Sequence, residues 1–341
     1  MKLNKLIKDF FNISLSDTKA NSVHSNAEVQ SYLVAMSLNN DSLESATGLS
    51  PDTIQRRIVL GTKVDMPWFD HLQRTQLELA SYILRRNQRV RWSVVIDESL
   101  EPFFGNIDGL KEQLETQHLP DFVSKYRVQR GSTGSFHYVS IALYSKLGTF
   151  PIAVIPKVAD VDITLQIKET LAELKRIHRD IILLADRGYG NQHMISLCQK
   201  LKVNYCIRLK KNGKLKTINK NYRLFFWHSF GKIKFRVIMH KSHGRETFFF
   251  AIGKKGGSSQ WFRLLYRDRW SIENLFKNCD MIQLRTSSRN TIFRLFCFVL
   301  SIFLMLLYQL KKLIGDRTGH SIRRTLYDLF KIKVLVVLRA T

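Results

Sequence analysis

Ile181-Ile182-Leu183-Leu184-Ala185-Asp186-Arg187-Gly188-Tyr189 is the stretch whose reading decides the fold. Five apolar residues without alternation are the pattern of a strand covered on both faces. Asp186 then stands at the strand's end, and Arg187-Gly188-Tyr189 predicts a sharp turn away from it. A second run of this kind, Arg91-Trp92-Ser93-Val94-Val95-Ile96, is closed by Asp97, with Ser99 and Gly105 expected in the loop beyond. Further strands are predicted over 135–144, 150–155 and 204–209, and helices over 70–87, 163–178 and 192–201. Strands followed by alternating helix and strand predict a mixed α/β sheet flanked by helices.

The charge balance narrows the partners. The 341 residues carry 54 Lys and Arg against 28 Asp and Glu, a net charge of +26, which predicts attraction to a polyanion. A 45% hydrophobic fraction supports a real core and excludes general disorder. Between Arg208 and Lys255 lie 14 Lys or Arg and one acid, so half of the chain's net charge sits in 48 residues. This block is no disordered tail, because 224–227, 233–239 and 247–252 read as strands. A β-rich insertion with a basic, aromatic-studded surface is expected over 208–261, and Lys210, Lys211, Lys214 and Trp227 are its candidate nucleic-acid contacts.

Four cysteines form no CxxC pair, which speaks against a zinc site or a disulfide framework and for a reducing compartment. The N-terminus scatters lysines through its apolar residues and has no signal-peptide core. The apolar run 295–309 is 15 residues long, short of a bilayer span, and is expected to be a helix buried inside the domain. Residues 1–90 read as a helical N-terminal domain. Within it, 41–60 reads as helix, glycine turn and a second helix with Ser50 as N-cap and Pro51 at the first helical position. That fits a helix-turn-helix presenting Arg56 and Arg57 to DNA, or an ordinary helical hairpin of a small bundle.

A third acid completes the pattern. In Tyr266-Arg267-Asp268-Arg269-Trp270-Ser271-Ile272-Glu273, helical period sets Tyr266, Arg269, Glu273 and Lys277 on one stripe. A core-facing stripe would carry Leu or Ile there. Asp97, Asp186 and Glu273 are 89 and 87 residues apart, so only the fold can gather them. Gathered, three carboxylates form an oxygen-rich site for hard divalent cations.

Ile96-Asp97, Leu184-Ala185-Asp186-Arg187-Gly188-Tyr189 and Tyr266-x2-Arg269-x3-Glu273 together resemble the three motifs of DDE transposases from prokaryotic insertion sequences. The closer likeness is to the group with a tyrosine, arginine, glutamate, lysine signature. The last lysine of that signature is replaced here by Asp280, with Lys277 one turn earlier. The resemblance implies an RNase H-like core over 91–207 and 262–341. It also implies Asp97, Asp186 and Glu273 as catalytic ligands of two Mg2+ ions, with Mn2+ as a substitute, and Arg187, Tyr266, Arg269 and Lys277 as grips on DNA phosphates. The implied activity is hydrolysis and strand transfer at the inverted-repeat ends of a mobile element, by a homodimer on double-stranded DNA, cytoplasmic and nucleoid-associated, with no membrane. The alternatives are an RNase H-like nuclease without strand transfer and an inactive, transposase-derived DNA-binding protein.

Overall fold

The computed structural model describes residues 25–39, 42, 50–59, 67–116, 120–125, 130–158, 161–211, 215, 225–241, 247–253, 256–315, 321–326 and 328–329. Its helices are α1 (Asn26–Asn39), α2 (Pro51–Val59), α3 (Pro67–Arg86), α4 (Ile107–Thr116), α5 (Ile163–Ile177), α6 (Gln192–Lys200), α7 (Ser259–Arg267), α8 (Trp270–Asp280) and α9 (Thr291–Ile314). The strands are β1 (Ser93–Phe103), β2 (Val123–Ser124), β3 (Gly134–Ser145), β4 (Gly148–Pro156), β5 (Ile182–Ala185), β6 (Asn204–Arg208), β7 (Phe225–Phe230), β8 (Ile233–Lys241) and β9 (Thr247–Ile252).

The nine strands among the described residues join one mixed sheet. Its first half runs β4-β3-β1-β5-β6, with β1 antiparallel to β3 and parallel to β5, and β5 parallel to β6. That order with helices packed on it is a mixed α/β architecture consistent with the RNase H-like expectation. The basic strands continue the same sheet, since β9 pairs antiparallel with β6 and β8 and β7 follow outward.

The run expected at 295–309 extends into the 24-residue α9, longer than its apolar stretch suggested. Asn290 caps it by accepting from the Phe293 N–H at 2.9 Å, and Gly315, at φ +122°, ends it. Length and hydropathy would let α9 cross a bilayer, yet its most apolar 18-residue window is 94% buried in protein. Tyr138 stacks on Phe298 at 4.3 Å between ring centroids and Trp68 meets Phe296 edge-on at 5.1 Å. A helix apolar on every side is thus the central pillar of this core.

Three boundaries differ from expectation. Strand β1 does not stop at Asp97 but continues to Phe103, so Ser99 is a strand residue rather than a loop residue. Its antiparallel ladder to β3 runs without a break from Ser93↔Tyr144 to Phe103↔Gly134, and this pairing outweighs the polar sequence of its second half. The polar connection that follows contains helix α4, which buries Ile107, Leu110 and Leu114. The single helix expected through Tyr266 and Lys277 is two, α7 and α8. Of the helix-turn-helix expectation, the turn and first helix lie almost wholly outside the described residues, as do the N-terminal 24 residues.

Candidate active site

Strand register brings the first two acids together. β1 and β5 are parallel neighbours with Ile96 level with Ala185, so Asp97 and Asp186 follow side by side on adjacent strands. Beyond Asp186 the chain makes a single 3-10 turn, Arg187–Tyr189. Gly190 then passes the end of β6 so closely that a Cβ there would lie 2.6 Å from the Arg208 carbonyl oxygen, which reserves the position for glycine.

The third acid comes from the joint between α7 and α8. Ser258 caps α7, accepting from the Trp261 N–H at 3.1 Å. At the joint the backbone bonds shorten to an i to i−3 pattern: Asp268 N–H to Leu265, Arg269 N–H to Tyr266, Ser271 N–H to Asp268 and Ile272 N–H to Arg269. This tight turn divides the stripe predicted from sequence. Tyr266 is left at the end of one helix, Arg269 in the turn and Glu273 in the first turn of the next.

Those three side chains close the site. The Tyr266 hydroxyl donates to Asp186 Oδ1 at 3.0 Å. Arg269 donates from Nη1 to Asp97 Oδ2 at 2.7 Å and from Nη2 to Glu273 Oε1 at 2.6 Å. The Arg269 side chain is 10% exposed against 47% for Glu273, so the arginine lies inside and the glutamate at the rim. Arg269 Nε is buried without a hydrogen-bond partner among the described residues, an omission that costs about 1–3 kcal/mol. Across β1 from Asp97 the Ser140 hydroxyl, wholly buried, is in the same condition.

Electrostatics marks Asp97. Burial pushes its carboxyl up to about 6, Arg269 pulls the other way, and Glu273 and Asp186 add to the rise. Burial and then the Asp186 charge hold the Tyr266 phenol far above its ordinary value. Three acids within one another's fields, one of them strained toward protonation, are the hard-oxygen donor set that a divalent cation takes. Among the described residues no three acidic, histidine or cysteine side chains are yet close enough to share one ion, and Arg269 stands between Asp97 and Glu273.

The neighbouring Glu98 points to the other face, as strand alternation predicts. His137 Nδ1 lies 2.8 Å from its Oε1 and Lys157 Nζ donates to the same oxygen at 2.9 Å. Burial works to raise this carboxyl, but these two partners bring it down to about 2. His137 is therefore buried in a carboxylate network that also includes the Ser124 hydroxyl. His193 is exposed and pairs with Asp162.

The basic candidates divide. Arg187, Lys210 and Lys211 line a cavity of about 350 Å³ beside Asp186, together with Arg208, Thr247, Phe248 and Phe249. Arg208 and Arg263 both lie over the Phe248 ring, at 4.9 and 5.5 Å. Trp227 stands 70% exposed on β7, the end strand of the sheet, by a cavity of about 570 Å³ that Lys234 also lines. Lys277 is exposed one turn beyond Glu273, with no ion pair among the described residues, and Asp280 ends the same helix. On α2, Arg56 is exposed and Arg57 half-buried, while Gln55 accepts from the Ser288 hydroxyl at 2.7 Å. Lys214 lies outside the described residues. Ser140 and Arg208 were not anticipated. Cross-strand register and the approach of β6 place them, and neither leaves a local signal in sequence.

A family model for the transposase DDE domain matches residues 116–308, which include Asp186 and Glu273 and begin after Asp97. Among solved structures the chain is similar to a piggyBac transposase, determined by cryo-electron microscopy as a synaptic complex with hairpin DNA. The two share 13% identity over 96% of this chain and 79% of that one, with a TM-score of 0.56, a likeness of fold. No curated protein matches.

Proposed function

The chain belongs to the transposase DDE-domain family, and on that premise we propose that it cuts DNA at the inverted-repeat ends of its own mobile element and joins the freed ends to a new site. The observation carrying this reading is the meeting of Asp97, Asp186 and Glu273 on one phenol and guanidinium, although each comes from a different part of the chain. The proposed element is a prokaryotic insertion sequence of the tyrosine, arginine, glutamate group. Its protein would act in the cytoplasm, on nucleoid DNA, as a homodimer that holds both ends.

Asp97, Asp186 and Glu273 are the proposed ligands of two Mg2+ ions, with Mn2+ as a substitute. When bound, such ions would supply an activated hydroxyl and a counter-charge for the departing 3′-oxygen. The protein's own groups do the rest. Tyr266 fixes the Asp186 carboxylate by its hydrogen bond, and Glu273 at the rim remains reachable from solvent. Arg187, Lys210 and Lys211, beside Asp186, offer cationic partners to the phosphates flanking the scissile bond. Lys277, exposed on α8, extends that grip, and Arg269, in the turn before α8, would join it only on release from Asp97 and Glu273. Trp227 offers an exposed indole for stacking on a base. The region 1–90, with Arg56 and Arg57, and the basic block 208–261, including Lys214, are assigned to wider DNA contact.

The test uses duplexes carrying both ends of the element and a separate target duplex, with Mg2+. Cleavage followed by joined product is expected. Asp186→Asn is expected to remove both steps while leaving DNA binding intact. Cleavage without joining would reduce the assignment to a nuclease, and cleavage by Asp186→Asn at the normal rate would overturn the acid assignment.

A further inference from the structure

Arg269 spends its guanidinium inward. Both Nη atoms donate to carboxylates, Asp97 on one side and Glu273 on the other, in a side chain that is nine-tenths buried. Its Nε–H finds no acceptor among the described residues. Its Cζ lies 5.8 Å from the centroid of the Tyr266 ring, whose hydroxyl holds Asp186. Two of the acids are therefore held by one cationic side chain and the third by the phenol beside it, and that side chain is carried on the tight turn between two helices rather than within either.

This arrangement is incompatible with the same carboxylates gripping a divalent cation at contact distance. A guanidinium and a dication cannot both sit against Asp97 and Glu273 without facing each other as like charges in a poorly solvated place. The fork that fits two carboxylates also fits the paired oxygens of a phosphodiester.

We propose that Arg269 is a positioning residue that exchanges partners, holding Asp97 and Glu273 together in the free protein and passing to a DNA phosphate when a divalent cation takes those carboxylates. The inference rests on the reading of the acids as metal ligands. It adds a consequence that reading does not contain, namely that metal and DNA bind with positive coupling. Without DNA, a cation must displace the arginine and leave a buried charge unpaired. With DNA, the displaced guanidinium has a phosphate to meet. Coupling of this kind is reciprocal and typically about 5–150-fold.

The experiment is equilibrium binding of Mn2+ to the full chain at pH 8, followed by the free-ion electron paramagnetic resonance signal. It is run with and without a duplex DNA, and uptake by the DNA alone is subtracted. Wild type is expected to bind Mn2+ at least about 5-fold more tightly with DNA. Arg269→Gln is expected to bind Mn2+ more tightly than wild type in the absence of DNA and to show no enhancement by it. Arg269→Lys, which keeps charge without the fork, is expected to show a reduced enhancement, and it serves as the test if Arg269→Gln does not melt cooperatively. Equal enhancement in wild type and either variant would overturn the exchange. Equal Mn2+ binding by wild type and Asp186→Asn would instead overturn the metal-ligand reading, so the two failures are distinguishable.

Discussion

Asp97 and Glu98 are consecutive residues of one strand, and they stand in opposite electrostatic conditions. Glu98 meets a histidine and a lysine on its face of the sheet and is held down to about 2. Asp97 meets one arginine and two further acids on the other face and is driven up to about 6. A carboxylate whose partners match its charge has finished its work by folding. One that burial and like charges strain is stabilised less by the fold than by something still to bind. The difference separates a structural acid from a candidate ligand within one peptide unit, which sequence can do only by strand alternation.

The sharpest way to break the comparison is to neutralise each acid. Asp97→Asn is expected to lower Mg2+-dependent DNA cleavage by about 1000-fold or more, the weight of several kcal/mol of transition-state stabilisation. Its thermal stability should be equal to wild type or higher. Glu98→Gln should do the reverse, losing about 2–3 kcal/mol of stability by chemical denaturation through two weakened charged hydrogen bonds. Its cleavage rate per folded molecule should change little. If Asp97→Asn proves the destabilised variant, the contrast between the faces is wrong.

Titration sharpens the same contrast, because the two acids act with opposite sign. A folded value raised from 3.8 to about 6 means that Asp97 favours the fold below pH 3.8 and loses that contribution as pH rises to about 6. The stability of Asp97→Asn relative to wild type should therefore climb by about 1–2 kcal/mol between pH 4 and 6. A folded value lowered from 4.5 to about 2 means that Glu98 contributes above pH 4.5 and loses its contribution as pH falls toward 2. The deficit of Glu98→Gln should accordingly shrink on acidification across that window. Urea melts at stepped pH values measure both.

A smaller effect lies at the cavity beside Asp186. Lys210→Ala with Lys211→Ala should reduce the slope of log affinity against log salt by about one for each lysine. Filter binding over a salt series measures this, and an unchanged slope would remove both residues from the DNA path.

Much of this was legible because buried strands advertise themselves. The apolar runs before Asp97 and Asp186 lie within β1 and β5, and parallel pairing places the acids side by side. The second half of β1 was illegible because Asp97-Glu98-Ser99-Leu100-Glu101-Pro102 reads as loop until the ladder to β3 is known. Glu101 in that half is half-buried, accepting from Arg294, Gln283 and Tyr138, partners far from it in sequence. Periodicity found the stripe of Tyr266, Arg269 and Glu273 but not the turn that divides it, since a tight turn shifts the phase by only a fraction of a residue. On β7, alternation appears only in the folded sheet, where Phe226, His228 and Phe230 turn partly inward and Phe225 and Trp227 outward.

The central claim is that three acids distant in sequence act as one ligand set for divalent cations. Equilibrium dialysis of Mn2+ against the DNA-bound full chain tests it most directly, with wild type set beside Asp97→Asn, Asp186→Asn and Glu273→Gln. Each single substitution is predicted to weaken uptake by at least about 10-fold, equivalent to 1.4 kcal/mol. Uptake by all three variants with wild-type affinity would contradict the account.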